Sequence, residues 1–330
     1  MTTCSYGFRI VGATSEARRL VDATAAFAGY ASCDDRAQVH REAYLSAFQF
    51  GEDFRGLLER TGSTAGYSGP CWSPWLWFDV DREDLQAAMR DTCRLAGHLD
   101  MGYKPGDDDL LIFFSGSKGF HIGLPTCLWS PEPSGVFHKT ARRFAEHAAE
   151  QAEVTIDTGV YDCVRAFRAP NSRHPKTGLH KRRFSYDELL GLSLERIVEL
   201  SKETAPFDVP TPTRTSEQAA ADWQAAAALV AREGESKAAR LATSNGTPIL
   251  NRATLDFIRE GAGMGDRHRL LFSAAANLAE FGCTPALAVA LLEESALDSG
   301  LPPKDVRRQI ECGLAAVDCP LTIAEKGGTV

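Results

Sequence analysis

The sequence predicts an α+β domain followed by a small all-α domain. Short apolar runs at Trp75–Val80, Leu110–Phe114 and Phe120–Leu124 alternate with amphipathic helical stretches. Pro206, Pro210 and Pro212 then interrupt the chain. Beyond them the composition turns alanine-rich and helical. The division expected is a first domain over 1–205, a linker over 206–220 and a helical domain over 221–330.

The first seventy residues read as mixed. Ala13 to Phe27 has helical periodicity, and Gln38 to Leu58 reads as one or two further helical pieces. Gly66-Tyr67-Ser68-Gly69-Pro70 is a turn-rich loop. Trp75 to Val80 is a buried strand. The helix expected from about Glu83 to Leu99 carries an apolar stripe of Leu85, Met89, Cys93 and Ala96. Gly102 to Asp109 is a polar loop. Leu110–Phe114 and Phe120–Leu124 are strands able to pair as a hairpin. Ser134 to Glu153 is a helix offering Val136, Phe137, Phe144, Ala145 and Ala148 for packing. Val154–Ile156 and Val164–Arg168 read as further strands, so the expected sheet is mixed. Past the prolines, helices are expected over Ala219–Leu241, Arg267–Phe281, Thr284–Ser295 and Pro303–Ala315, with a frayed tail over Glu325–Val330.

Composition narrows the class. A chain of 330 residues with 44% hydrophobic and 24% charged residues has a normal globular balance. No apolar run approaches the roughly 20 residues that span a bilayer, and MTTCSYGFRIVGA lacks the pattern of a signal peptide. Nine cysteines without a C-x-x-C pair are expected to be reduced thiols in a cytoplasm. The net charge of −8 does not advertise nucleic-acid binding. Yet Asn171–Arg183, NSRHPKTGLHKRR, places Arg173, Lys176, Lys181, Arg182 and Arg183 on one acid-free strip with His174 and His180. No Walker A pattern occurs, so a helicase or other P-loop ATPase is not encoded.

Three segments carry chemistry. In Trp77-Phe78-Asp79-Val80-Asp81, residues two apart share a strand face, so Asp79 and Asp81 project together. Converging carboxylates repel unless a cation sits between them, and Mg²⁺ or Mn²⁺ prefers such oxygen ligands. Ser115-Gly116-Ser117-Lys118-Gly119 joins two strands and leads to His121. Its glycines allow backbone N–H groups to turn toward an anion, and Lys118 and His121 add phosphate donors. Asp157 ends a third apolar run and offers another acidic ligand. Arg165, Arg168, Ser172, His174 and Lys176 follow it closely, a donor set suited to a polyphosphate.

WFDVD, SGSKGFH, and VTID followed by VRAFRAPNSRHPKTG together resemble the archaeo-eukaryotic primase superfamily over about residues 70 to 190. The resemblance implies a catalytic core of two α/β modules, one with a sheet like an RNA-recognition motif, and a site in the cleft between them. Asp79, Asp81 and Asp157 would be the catalytic metal ligands. Ser115, Lys118, His121, Arg168 and His174 would bind the nucleotide, with Lys176 beside them and Arg165 a weaker carry-over. Many relatives carry a cysteine/histidine zinc element; no such spacing occurs here, and no structural zinc is expected. Gly265–Phe272, GDRHRLLF, resembles helical domains that follow primase cores in plasmid and phage replication proteins. The activity implied is metal-dependent synthesis of short primers from NTPs or dNTPs on single-stranded DNA. A separately encoded replicative helicase is the expected partner, and no membrane is. A gap-filling repair polymerase of the same superfamily, a non-catalytic DNA-binding replication-initiation module and a metal-dependent nuclease are the alternatives.

Overall fold

The computed structural model describes residues 4–106, 108–243, 250–263 and 265–316, and of 237–243 the backbone alone. The chain divides into two compact units, residues 1–233 and 234–330. The first unit begins with β1 (Tyr6–Val11), β2 (Arg19–Asp22), α1 (Ala23–Ala31), β3 (Ala43–Ser46), β4 (Gln49–Phe50), α2 (Glu52–Thr61) and β5 (Cys71–Trp72). It continues with β6 (Trp75–Asp81), α3 (Leu85–Tyr103), β7 (Leu111–Phe114), β8 (Gly119–Pro125) and α4 (Phe137–Gln151). A 3₁₀ turn (Thr158–Tyr161), β9 (Ala166–Arg168), β10 (Arg182–Phe184), α5 (Tyr186–Gly191), α6 (Leu194–Leu200) and α7 (Glu217–Thr243) follow.

Two sheets result. One has the order β5-β4-β1-β3-β9 with β2 on β1, and the other is β10-β7-β8-β6. Every pairing is antiparallel, which corrects the mixed sheet expected from alternating strands and helices. In the second sheet Phe78, Val80, Phe120, Ile122 and Leu124 are buried, and α3 and α4 pack on β6 and β8. The opposite face meets the first sheet: Trp77 lies 5.4 Å from the Phe167 ring and 6.1 Å from Phe27. Apolar burial on both faces explains why β6, β7 and β8 read as continuous hydrophobic runs.

The N-terminal third departs from its sequence pattern. Residues expected to be helical from Ala13 supply the edge strand β2, and α1 starts only at Ala23, where Asp22 caps it by accepting from Ala25 N. Of the one or two helical pieces expected over Gln38 to Leu58, α2 is present from Glu52, but the stretch before it forms β3 and β4 instead. Pairing with β1 outweighs helical periodicity there. Val154–Ile156 forms no strand; Val154 N donates to Ala149 O and Thr155 O accepts from Arg82. Val136 is 45% exposed rather than packed. The proline segment has no helix or strand before α7, yet it is not a free tether. Phe207 N donates to Ala31 O, the Phe207 ring packs 5.7 Å from Phe113, and Ser216 N donates to Leu128 O. Trp223 of α7 then packs on Trp129, Phe137 and Phe144, which draws residues up to Glu233 into the first unit.

The second unit contains α8 (Arg252–Glu260), α9 (Arg267–Glu280), α10 (Pro285–Asp298) and α11 (Pro303–Ala315). Phe257, Leu271, Ala275, Leu292, Val306 and Ile310 form its core. α9 and α11 approach so closely at Gly313 that a Cβ there would lie 2.6 Å from Phe272 O. The expected frayed tail, Glu325–Val330, lies outside the described residues. Among the described residues no helix is long and apolar enough to cross a membrane.

Candidate active site

The site grows from the register of β6 and β8. Asp79 pairs with His121 and Asp81 with Gly119. Residues opposite each other in a ladder share a face, so two carboxylates and an imidazole emerge on one side. That side faces β9, where the Phe167 ring lies tilted with its centroid 4.4 Å from that of His121. Gly119 is required by close approach: a Cβ there would lie 2.2 Å from Asp81 Oδ1 and 2.4 Å from Val80 O.

Asp157 reaches the same place by a separate route. Its N–H donates to Asp79 O at 2.8 Å. Arg82 fixes the approach, donating to Thr155 O at 2.7 Å while its Nε holds Asp91 at 2.8 Å. The Asp157 carboxylate caps the following 3₁₀ turn by accepting from Gly159 N. Arg82, absent from the sequence reasoning, is therefore what aligns the third acid with β6.

The electrostatics follow from this crowding. Burial, then the Asp81 and Asp157 charges, lift the Asp79 carboxyl from 3.8 to about 7, against the pull of Lys181 and Arg165. Asp79 Oδ1 has no hydrogen-bond partner among the described residues. His121 Nε2 stands 3.6 Å from it, too far for a hydrogen bond. Burial, with Lys181 and Arg168 nearby, holds His121 neutral. An orphaned carboxylate oxygen beside two further acids is the donor type that Mg²⁺ or Mn²⁺ takes, although the oxygens of Asp79, Asp81 and Asp157 do not all lie within 4.8 Å of one another.

Cations surround the acids at different depths. Lys118 Nζ is 3.2 Å from Asp81 Oδ2, with its side chain mostly exposed. Arg168 is half-buried, bonded to Tyr44 and 3.9 Å from Glu42, and its Nη1 is buried without a partner among the described residues. Arg165 is exposed and close enough to act on Asp79 electrostatically. His174 Nδ1 accepts from the N–H groups of Lys176 and Thr177, which places its proton on Nε2. Burial and Arg168 lower its basicity.

Two expected phosphate donors are used otherwise. Ser115 is buried and its Oγ accepts from Gly119 N, closing the hairpin. Lys176 is exposed, and no contact ties it to the acids. The basic strip also dissolves on folding. Ser172 bonds Ala169 O, Arg173 bonds Gly178 O, Arg182 bonds Leu200 O and Arg183 bonds Asp108 O. Lys181 is fully buried, with Nζ donating to Arg168 O at 2.9 Å and lying 4.3 to 5.2 Å from the Phe167, Phe113 and Trp77 rings. Burial pushes its ammonium well below the usual lysine range, while it and Asp79 each favour the other's charged form, which makes it the site residue the sequence reading left on the surface. An apolar cavity of about 730 Å³ lies further along the same strand face, lined by Phe8, Phe27, Leu45, Trp72, Trp75 and Trp77 among others. None of the three aspartates lines it.

No family model matches the chain, and no curated protein does. A crystal structure of primase RepB′ is similar to it at a TM-score of 0.36 and 13% identity, over 96% of this chain and 90% of that one. A likeness so remote carries no argument, and the functional reading stands on the residues.

Proposed function

We propose that this chain is a primase or primase-polymerase that joins nucleotides on single-stranded DNA. The observation that supports the reading is that β6 presents Asp79 and Asp81 on one face beside His121, with Asp157 N–H bonded to Asp79 O and Lys118 paired with Asp81. Divalent cations held by the three aspartates would activate the 3′-hydroxyl and neutralise charge at the α-phosphate. The protein groups then have separable tasks. Lys118, at the hairpin tip, leaves Asp81 and meets the triphosphate. Arg168, oriented by Tyr44 and Glu42, turns its unpartnered Nη1 to a phosphate oxygen. Neutral His121 and His174 donate N–H groups without adding charge that would repel the cations. Lys181, when protonated, counters the rise of the Asp79 carboxyl. The template would lie along cationic surface and be held by its backbone.

The test is synthesis of labelled oligonucleotides by purified protein with single-stranded DNA, nucleotides and Mg²⁺ or Mn²⁺. Primer-free product is expected, and it should fall at least a hundredfold in Asp79→Ala and Asp157→Ala. Extension only when a primer is supplied would assign a gap-filling polymerase instead. Strand binding without any incorporation would assign a non-catalytic DNA-binding module. Undiminished product in both variants would remove the proposed ligand roles.

A further inference from the structure

Cys71, His138 and Cys163 lie far apart in sequence and on three different elements, yet they meet. Cys71 is buried on β5, His138 stands in the first turn of α4, and Cys163 follows the 3₁₀ turn that Asp157 caps. Their ligand atoms all lie within 4.8 Å of one another, and Cys71 Sγ is 3.8 Å from His138 Nδ1. Around a tetrahedral zinc, bond lengths of about 2.3 Å to sulfur and about 2.0 Å to nitrogen separate ligand atoms by roughly 3.5–3.8 Å. Small side-chain movements would close that gap. Backbone bonds hold two of the elements in place: Cys71 N donates to Ser134 O, and Ser134 N returns to Cys71 O.

We propose that Cys71, His138 and Cys163 bind one zinc ion, with a water or an added ligand in the fourth position. Two sulfurs and an imidazole select a borderline-soft transition metal over the hard Mg²⁺ or Mn²⁺ suited to the aspartates. The two sites therefore do not compete. The ion would tie β5 and α4 to the segment that runs from Asp157 to Arg165 and Arg168. Its role is to fix where that segment enters the carboxylate site. The absence of C-x-x-C spacing hid the set, because each ligand comes from a different part of the chain.

The test is metal analysis of the full-length chain purified without chelator, followed by replacement with Co²⁺ under reducing conditions. About one zinc per chain is expected, and the cobalt form should show thiolate-to-metal charge transfer and four-coordinate d–d bands. Cys163→Ser and His138→Asn alter partly exposed side chains, and tryptophan fluorescence checks their folding. Each should lose at least tenfold of the bound metal, whereas Cys283→Ser in the second unit should lose none. A wild-type chain without zinc or cobalt binding would overturn the proposal. So would full metal retention in both folded variants, or a Cys71–Cys163 disulfide in freshly isolated protein. None of these readouts depends on nucleotide incorporation, so failure here is separable from failure of the primase reading.

Discussion

Replacing Asp79 by Asn is expected to stabilise the metal-free first unit while abolishing activity. The carboxyl moves from 3.8 to about 7 on folding. At roughly 1.36 kcal/mol per pKa unit, that is a penalty of about 4 kcal/mol for holding the ionised form. Above about pH 7 the carboxylate is charged in both folded and unfolded chains, and the folded state bears the whole cost. Below about pH 3.8 it is protonated in both and the cost vanishes. Between these limits the folded state binds the extra proton, so this group makes stability fall as pH rises. The amide removes the charge but leaves a buried polar group, so a net gain of roughly 2–3 kcal/mol at pH 8 is expected. All five tryptophans, Trp72, Trp75, Trp77, Trp129 and Trp223, lie in the first unit. Urea unfolding followed by their fluorescence in EDTA therefore reads this unit. Wild type and variant should converge near pH 4 and separate toward pH 8, and added Mn²⁺ should stabilise wild type alone. A variant no more stable than wild type at pH 8 in EDTA would refute the crowding of charge at Asp79.

Further variants separate structural from functional roles. Lys118→Ala breaks an exposed ion pair worth less than about 1 kcal/mol, so urea unfolding should hardly change while KM for the nucleotide rises. Gly119→Ala forces a Cβ against Asp81 and Val80 O; a loss of roughly 1–3 kcal/mol in unfolding free energy is expected, together with loss of incorporation. Lys181→Met removes a buried amine whose protonated form, itself disfavoured by burial, counters the rise at Asp79. The pH span over which the Asp79 carboxyl lowers stability should then extend higher, with incorporation reduced at least tenfold at neutral pH.

Three strands of the second sheet, β6, β7 and β8, were legible because they are buried on both sides; β10, read as part of a basic strip, was not. Its strands between Trp75 and Leu124 are runs of large apolar residues with little else to become. The paired aspartates at the end of β6 stood out against that background. Of the first sheet only β9, inside the expected Val164–Arg168, was legible. β4 is two residues long, and β2 is an edge strand whose spacing mimics a helix. Their pairing with β1 is decided by contacts distant in sequence. Lys181 shows the same limit within the site. A run of Lys181, Arg182 and Arg183 reads as a solvated strip, but Lys181 stands just ahead of β10 and the Arg168 carbonyl draws it inside. Arg82, whose task is to hold Thr155, carries no local signal at all.

The central claim is that Asp79, Asp81 and Asp157 share bound cations next to a triphosphate pocket. Crystals of the full chain soaked with Mn²⁺ and a non-hydrolysable nucleoside triphosphate test it by anomalous scattering. The account predicts manganese peaks among the three carboxylates, with phosphate oxygens reaching Lys118 and Arg168. Manganese and triphosphate bound elsewhere, with Asp157 making no contact to either, would contradict it.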